Sequence, residues 1–258
     1  MGDVPLGGGE SAGSAETKLT KGNGLGEGPL EGEPLYWGVS IQTIDVGRLD
    51  AYLASVSDQE GALADSQGFY GRMVLRSQRR HDRFWLVDCW SDELSLSTAT
   101  IQLRTVSSVA GLIEEPRTID SIQIRVGKGV LPVLPKPVKQ GVRPDQEGAR
   151  QPQTSGMLRF YLIAENWIKR VSGPEYLEVQ QKFTQEMEEE EGFRCRLLLR
   201  DLAEPVHYLV IDEWESEQFA FEAFERRQAR LSEATMSRFL SFMAKRGEPD
   251  FALGLHGT

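Results

Sequence analysis

Over residues 35–44 (LYWGVSIQTI) apolar β-forming residues alternate with small and polar ones, and the stretch reads as a strand. Residues 45–65 place Val46, Leu49, Tyr52, Leu53, Val56 and Leu63 near helical spacing, with Asp45 as the N-cap. Residues 68–93 (GFYGRMVLRSQRRHDRFWLVDCWSDE) read as two strands around a tight connection. A second helix is expected from Ser91 to about residue 110, capped by Ser91 with Asp92 and Glu93 in its first turn. Residues 121–126 (SIQIRV) supply a last strand. The order is strand, helix, strand, strand, helix, strand.

The same pattern returns downstream. Residues 192–217 (GFRCRLLLRDLAEPVHYLVIDEWESE) align without a gap on residues 68–93. Gly68 falls on Gly192, Phe69 on Phe193, Arg72 on Arg196, Arg76 on Arg200, Asp88 on Asp212 and Trp90 on Trp214, each pair 124 positions apart. The offset holds upstream, where Tyr36 falls on Phe160 and Tyr52 on Tyr176. A constant offset over two strands and their turn marks a duplicated unit. In the second copy, MLRFYLIAENWI reads as the first strand and Ser172 with Pro174 opens the first helix, which turns Tyr176, Leu177, Val179, Phe183 and Met187 inward. Two helical stretches and a strand near residues 250–256 follow Trp214.

Each copy has the βαββαβ order of a ferredoxin-like domain, an antiparallel sheet with both helices on one face. The uncovered face would leave apolar surface in water, so two such sheets are expected to pack together. The fold class is therefore α+β: two tandem ferredoxin-like domains packed sheet to sheet as an intramolecular dimeric α+β barrel. The expected domains are a disordered tail over residues 1–34, a first repeat over 35–126, a linker over 127–156 with five prolines, and a second repeat over 157–256.

Charge and cysteine usage narrow the partners. The net charge of −10 argues against a nucleic-acid partner, and no apolar run approaches the roughly 18 residues of a membrane helix. The tail sets six acidic residues against Lys18 and Lys21 and fits no targeting signal, and Leu6 stands where N-myristoylation needs Ser or Thr. Cys89 and Cys195 lie in predicted strands at non-equivalent positions, as small core residues of a protein in a reducing, cytoplasmic compartment. His81, His207 and His256 have no partner at metal-ligand spacing. The run Glu188 to Glu191 is either a solvated helix end or a site for a metal or basic partner. The partners left are a small-molecule ligand and, within one chain, the other repeat.

The Gly-Phe opening, the hairpin and the strand ending in Trp before an acidic helix start resemble the antibiotic biosynthesis monooxygenase family of dimeric α+β barrels. The resemblance covers both copies and is clearest in GFRCRLLLR and YLVIDEWESEQFAFEAF. It implies a monooxygenase acting on a small aromatic or quinone-like compound in a barrel pocket without metal or flavin. A non-catalytic barrel that binds a small molecule or a protein is the alternative. A haem-degrading branch of the family carries Asn at the end of the first strand, and Ala164-Glu165-Asn166 stands there in this chain. That branch also needs a His in the second helix, where this chain has none, so haem is the less favoured cofactor reading. Asn166 is the catalytic candidate, and Trp167, Tyr161, Arg159 and Trp37 are the substrate-binding candidates. Alternation puts Arg159, Tyr161, Ile163 and Glu165 on one face of the strand and Phe160, Leu162, Ala164 and Asn166 on the other, with the inward face left open.

Overall fold

The computed structural model describes residues 34–105, 112–113, 116–125, 134, 159–230 and 233–255. The expected tail (save residue 34), most of the linker and His256 lie outside these. The first copy supplies β1 (Tyr36–Thr43), α1 (Leu49–Leu63), β2 (Phe69–Ser77), β3 (Arg83–Trp90), α2 (Glu93–Thr105) and β4 (Arg117–Ile124). The second supplies β5 (Phe160–Ile168), α3 (Gly173–Met187), β6 (Phe193–Asp201), β7 (His207–Trp214), α4 (Glu217–Arg230), α5 (Glu233–Phe242), β8 (Met243–Arg246) and β9 (Asp250–Gly254).

The sheets of the two copies join edge to edge in one closed ring. Its antiparallel order is β5, β7, β6, β4, β1, β3, β2, β9 and back to β5, with β8 added on β5 beyond β9. The seams between copies are β4 on β6 and β2 on β9. They are related by the repeat: Arg200 of β6 faces Ile122, and its counterpart Arg76 of β2 faces Leu253. Each copy's last strand thus pairs with its own first strand and with the second strand of the other copy, which removes the free edges that would invite aggregation. This is the intramolecular α+β barrel expected from the sequence, closed by hydrogen bonds as well as by a shared core.

The barrel interior is apolar and drawn from both copies. Trp37, Val39, Met73, Leu75, Trp85 and Val87 meet Tyr161, Ile163, Leu197, Leu199, Leu209 and Ile211 there, all buried. The opposite faces of the strands carry the helices. Tyr52 and Val56 of α1 pack on Phe84 and Leu86, while Tyr176 of α3 packs on Leu198 and Tyr208. Strands β2, β3, β6 and β7 are therefore covered on both faces.

Several local expectations shift. Residues 46–48 form a 3-10 turn before α1, with the Asp45 side chain accepting from Gly47 N. Asp92 rather than Ser91 caps α2, accepting from Ser95 N at 2.8 Å, and Ser91 Oγ donates to Asp92. Ser172 makes no side-chain cap, and Pro174 with Glu175 in the first turn favours the start of α3. β4 begins four residues before the expected 121, because its pairing with β1 reaches back to Arg117. Buried Gln180 and Thr184 join Tyr176, Phe183 and Met187 on the inner face of α3, where Leu177 and Val179 are half-buried.

The Gly-Phe pair has a backbone cause. Gly68 and Gly192 have φ of +78° and +77°, a region that residues with a Cβ avoid, and each precedes a bulge at the start of its strand. A Cβ on Gly192 would overlap the Phe219 ring. Gly192→Ala is expected to destabilise the protein by roughly 1–3 kcal/mol in urea melts. Gly173→Ala is the control: with φ −55° and nothing near its Cβ it should stabilise by about 0.4–1 kcal/mol. Equal effects at the two positions would refute this account.

Candidate functional site

The pleat of β5 separates the candidate residues. Tyr161 points into the barrel and is 1% exposed. Trp37 is buried in the same core and donates Nε1–H to Gln123 at 3.2 Å. Arg159, just before β5, pairs with the buried Glu213 on that side. Asn166 has the other parity and faces the helices, where its amide donates to the Tyr176 hydroxyl at 3.2 Å. Trp167 lies at the end of the barrel, stacked on His207 with ring centroids 4.4 Å apart. The five residues therefore form no common site. The split follows from alternation, since successive side chains leave a strand on opposite faces.

The side that holds Asn166 has a cavity. It measures about 170 Å³ and lies between the outer face of β5, β6 and β7 and the helices α3, α4 and α5. Its walls include Leu162, Phe183, Met187, Trp214, Phe224 and Phe239, and its polar groups are Asn166, Gln180, Arg196, Asp212 and Arg246. Phe224 is 45% exposed and marks the open side.

At the floor, Arg196 and Asp212 form a buried bidentate pair, with Nε to Oδ1 at 2.6 Å and Nη2 to Oδ2 at 2.8 Å. Burial opposes the Arg196 charge, yet the Asp212 carboxylate beside it holds the guanidinium pKa above its ordinary value. Nη1 makes only a long contact of 3.4 Å to Gln180, which leaves donor capacity toward the cavity. Burial also pushes the Tyr176 hydroxyl pKa up, so it remains a neutral partner for Asn166. Sequence reasoning paired Arg72 with Arg196 and Asp88 with Asp212 but gave them no role. Their signal was a charge kept inside an apolar strand in both copies, where burial demands a partner.

The barrel side has a different character. Glu213 is 2% exposed, and burial raises its pKa even with Arg159 beside it. Tyr161 is pushed up by burial and by Glu213, and the Cys195 thiol lies 3.7 Å from the same carboxylate. Both cysteines are buried and unbridged.

The first copy has a different arrangement at the position of the cavity. It keeps the buried pair, Arg72 to Asp88 at 2.6 and 2.8 Å. Gln42 stands for Asn166 and accepts from the Tyr52 hydroxyl at 2.7 Å. Two further positions are exchanged in size: Gly38 and Leu96 occupy the places of Leu162 and Ala220. Leu96 Cδ1 lies 2.9 Å from where a Gly38 Cβ would stand, so Leu96 covers this part of the sheet. In the second copy the small Ala220 leaves that space open as a wall of the cavity.

Residues 159–232, which carry most of this cavity, match the family model for antibiotic biosynthesis monooxygenases. Over these residues the second copy is similar to an antibiotic biosynthesis monooxygenase domain. Among curated proteins, none matches the chain significantly in sequence. Solved structures do match the fold of this barrel over both repeats. An anthrone oxidase-like protein aligns with a TM-score of 0.60 at 14% identity, over 88% of this chain and 93% of its own. A candidate monooxygenase from Fusobacterium nucleatum gives 0.60 at 12% identity, over 86% and 93%. Another from Lactobacillus acidophilus gives 0.57 at 9% identity, over 87% and 98%. At these identities the likeness is one of fold. No helix among the described residues is long and apolar enough to cross a membrane.

Haem, the cofactor of one branch of this family, does not fit the cavity. At about 170 Å³ the space is below the roughly 300–1,000 Å³ of ordinary ligand pockets, and no His, Cys or Tyr is among the described residues that line it. The Glu188 to Glu191 run at the end of α3 engages a basic residue of the chain itself: Arg226 of α4 donates to Glu190 at 2.8 Å.

Proposed function

We propose that the second repeat is a cofactor-independent monooxygenase for a small aromatic or quinone-like compound, with its site in the helix-side cavity around Asn166. The observation that carries this reading is a largely apolar cavity whose floor presents Asn166 and the spare Nη1 of Arg196. A space of about 150 Å³ holds a benzene ring, so this one encloses a single ring and leaves the rest of the ligand against Phe224 and Phe239.

The chemistry needs an acidic C–H next to an aromatic carbonyl or phenol. Loss of that proton gives an electron-rich enolate, whose oxygen is stabilised by the amide of Asn166 and the guanidinium of Arg196. The carbanion combines with O₂, and the peroxide collapses so that a CH₂ group becomes C=O with release of one water. Among the described residues that line the cavity Asp212 is the one carboxylate, and it is the proton acceptor in this reading. The match of residues 159–232 to a monooxygenase family supports the assignment.

The first copy supplies the test. Ala220→Leu installs in the second repeat the residue with which the first repeat covers its sheet. It should abolish ligand-induced thermal shifts and oxygen uptake with anthrones and quinols; because Leu162 stands where the first repeat has Gly38, the paired swap Leu162→Gly with Ala220→Leu reproduces the first repeat's packing and separates filling of the cavity from crowding against Leu162. Asn166→Ala should lower turnover by roughly 10²-fold, the usual effect of losing one oxyanion donor. Binding that survives Ala220→Leu would place the ligand elsewhere.

A further inference from the structure

At the barrel end where Trp167 lies, a second polar cluster gathers on the turn between β6 and β7. Oδ1 of Asp201 accepts from the backbone N–H groups of Ala203 and Glu204 at 2.8 and 3.1 Å, which leaves Oδ2 facing Nδ1 of His207 at 3.0 Å. Glu204 N–H lies in the same turn, whose carbonyl accepts from His207 N at 2.7 Å. One donor atom each from Asp201, Glu204 and His207 lies within 4.8 Å of the others. The His207 ring is 1% exposed and is held by the stacked Trp167, so its direction is set before any ligand arrives.

We infer that Asp201, Glu204 and His207 bind a divalent cation of the zinc class at this end of the barrel. One imidazole nitrogen with two carboxylate oxygens is a borderline donor set that suits Zn²⁺ better than the all-oxygen preference of Ca²⁺ or Mg²⁺. Bonds of about 2.0–2.2 Å place tetrahedral ligand atoms roughly 3.3 Å apart, close to the separation of Asp201 Oδ2 and His207 Nδ1. Glu204 is exposed, and its carboxylate, which accepts from Trp167 Nε1 at 3.3 Å, exchanges that bond for the cation when it swings the remaining distance.

Two observations beyond the cluster support the assignment. The other ring nitrogen, Nε2, faces the Glu165 carboxylate at 3.2 Å, and Glu165 is held in turn by Arg117 of the first copy at 2.8 Å. A carboxylate on the distal nitrogen is the usual second partner of a metal-bound histidine, fixing its tautomer. The fold itself does not require the set: 124 positions earlier the same turn is built with Ser77, Arg80 and Arg83, and Ile41 stands in place of Glu165. A cation here would tie the β6–β7 turn to β5 and, through Arg117, to the first repeat. The site lies on the opposite side of β5 from Asn166 and does not depend on the proposed oxygenase reading.

The full chain, stripped with a chelator, is titrated with Zn²⁺ by calorimetry at pH 7.5 and by competition with a chromophoric chelator. One Zn²⁺ per chain is expected, with Mg²⁺ giving no heat. His207→Ala should abolish binding. Glu204→Gln, at an exposed position that leaves the fold intact, should weaken it at least tenfold, and Glu165→Gln by roughly 10–100-fold. Absence of binding by the wild-type chain, or equal binding by Glu204→Gln and His207→Ala, would overturn the assignment.

Discussion

Ending the chain after Pro249 is expected to abolish the cooperative unfolding transition of both repeats. β9 is only five residues long, yet it pairs with β5 in its own copy and with β2 in the other, so its loss opens the ring at a seam. Ala252 leaves the interior, and Asp250 takes with it two buried bonds to the first copy. Those bonds run from Ser77 Oγ at 2.6 Å and Trp85 Nε1 at 3.0 Å. Each orphaned donor costs roughly 1–3 kcal/mol, against a net stability of about 5–15 kcal/mol for an ordinary domain. Thermal melts followed by near-ultraviolet circular dichroism check the point. A sharp transition retained near the wild-type temperature would show that the seam is dispensable. Asp250→Ala alone should lower stability by the cost of the two donors without abolishing the transition.

The second large effect is expected from Arg196→Met, a loss of about 3–5 kcal/mol in urea unfolding. The guanidinium and the Asp212 carboxylate are 5% and 4% exposed, so each has lost its hydration and is compensated by the other. Removing one partner strands the other charge in a region of low polarity. Arg196→Met combined with Asp212→Leu should recover most of the loss, because an apolar pair of similar volume needs no compensation. A double variant no more stable than the single one would mean that the pair is held by interactions other than its own charges. Arg72→Met in the first copy offers a comparison, since Arg72 is 1% exposed and bound to Asp88 with the same geometry. It should cost a similar amount while leaving ligand binding in the second repeat intact, which separates the structural duty of the pair from any duty of Arg196 toward a substrate.

Much of the architecture could be read along the chain because it was written twice. The 124-residue offset and the βαββαβ order together called for an intramolecular α+β barrel, and the ring supplies it. The Gly-Phe pairs marked real backbone constraints, with positive φ at Gly68 and Gly192. Local capping was less legible: Ser91 and Asp92 are both good caps by type, and only the geometry of the turn selects Asp92.

The site was divided where sequence reasoning was weakest. Alternation sorted β5 into two faces but could not say which one turned inward, because both were apolar: Tyr161 and Ile163 on one side, Phe160 and Leu162 on the other. In a half-exposed strand polarity would have decided. Here the barrel core covers one face and the helices cover the other, so Asn166 was parted from Tyr161, Arg159 and Trp37 only by the closed ring. The same holds for contacts between distant segments. The chain determined that Arg196 and Asp212 recur at strand positions where a charge needs a partner. Tertiary structure alone decided that they partner each other, that Ala220 leaves a cavity where Leu96 covers the first copy, and that His207 meets Asp201 and Glu165. Such meetings depend on how strands far apart in sequence are set side by side, which spacing along one strand does not encode.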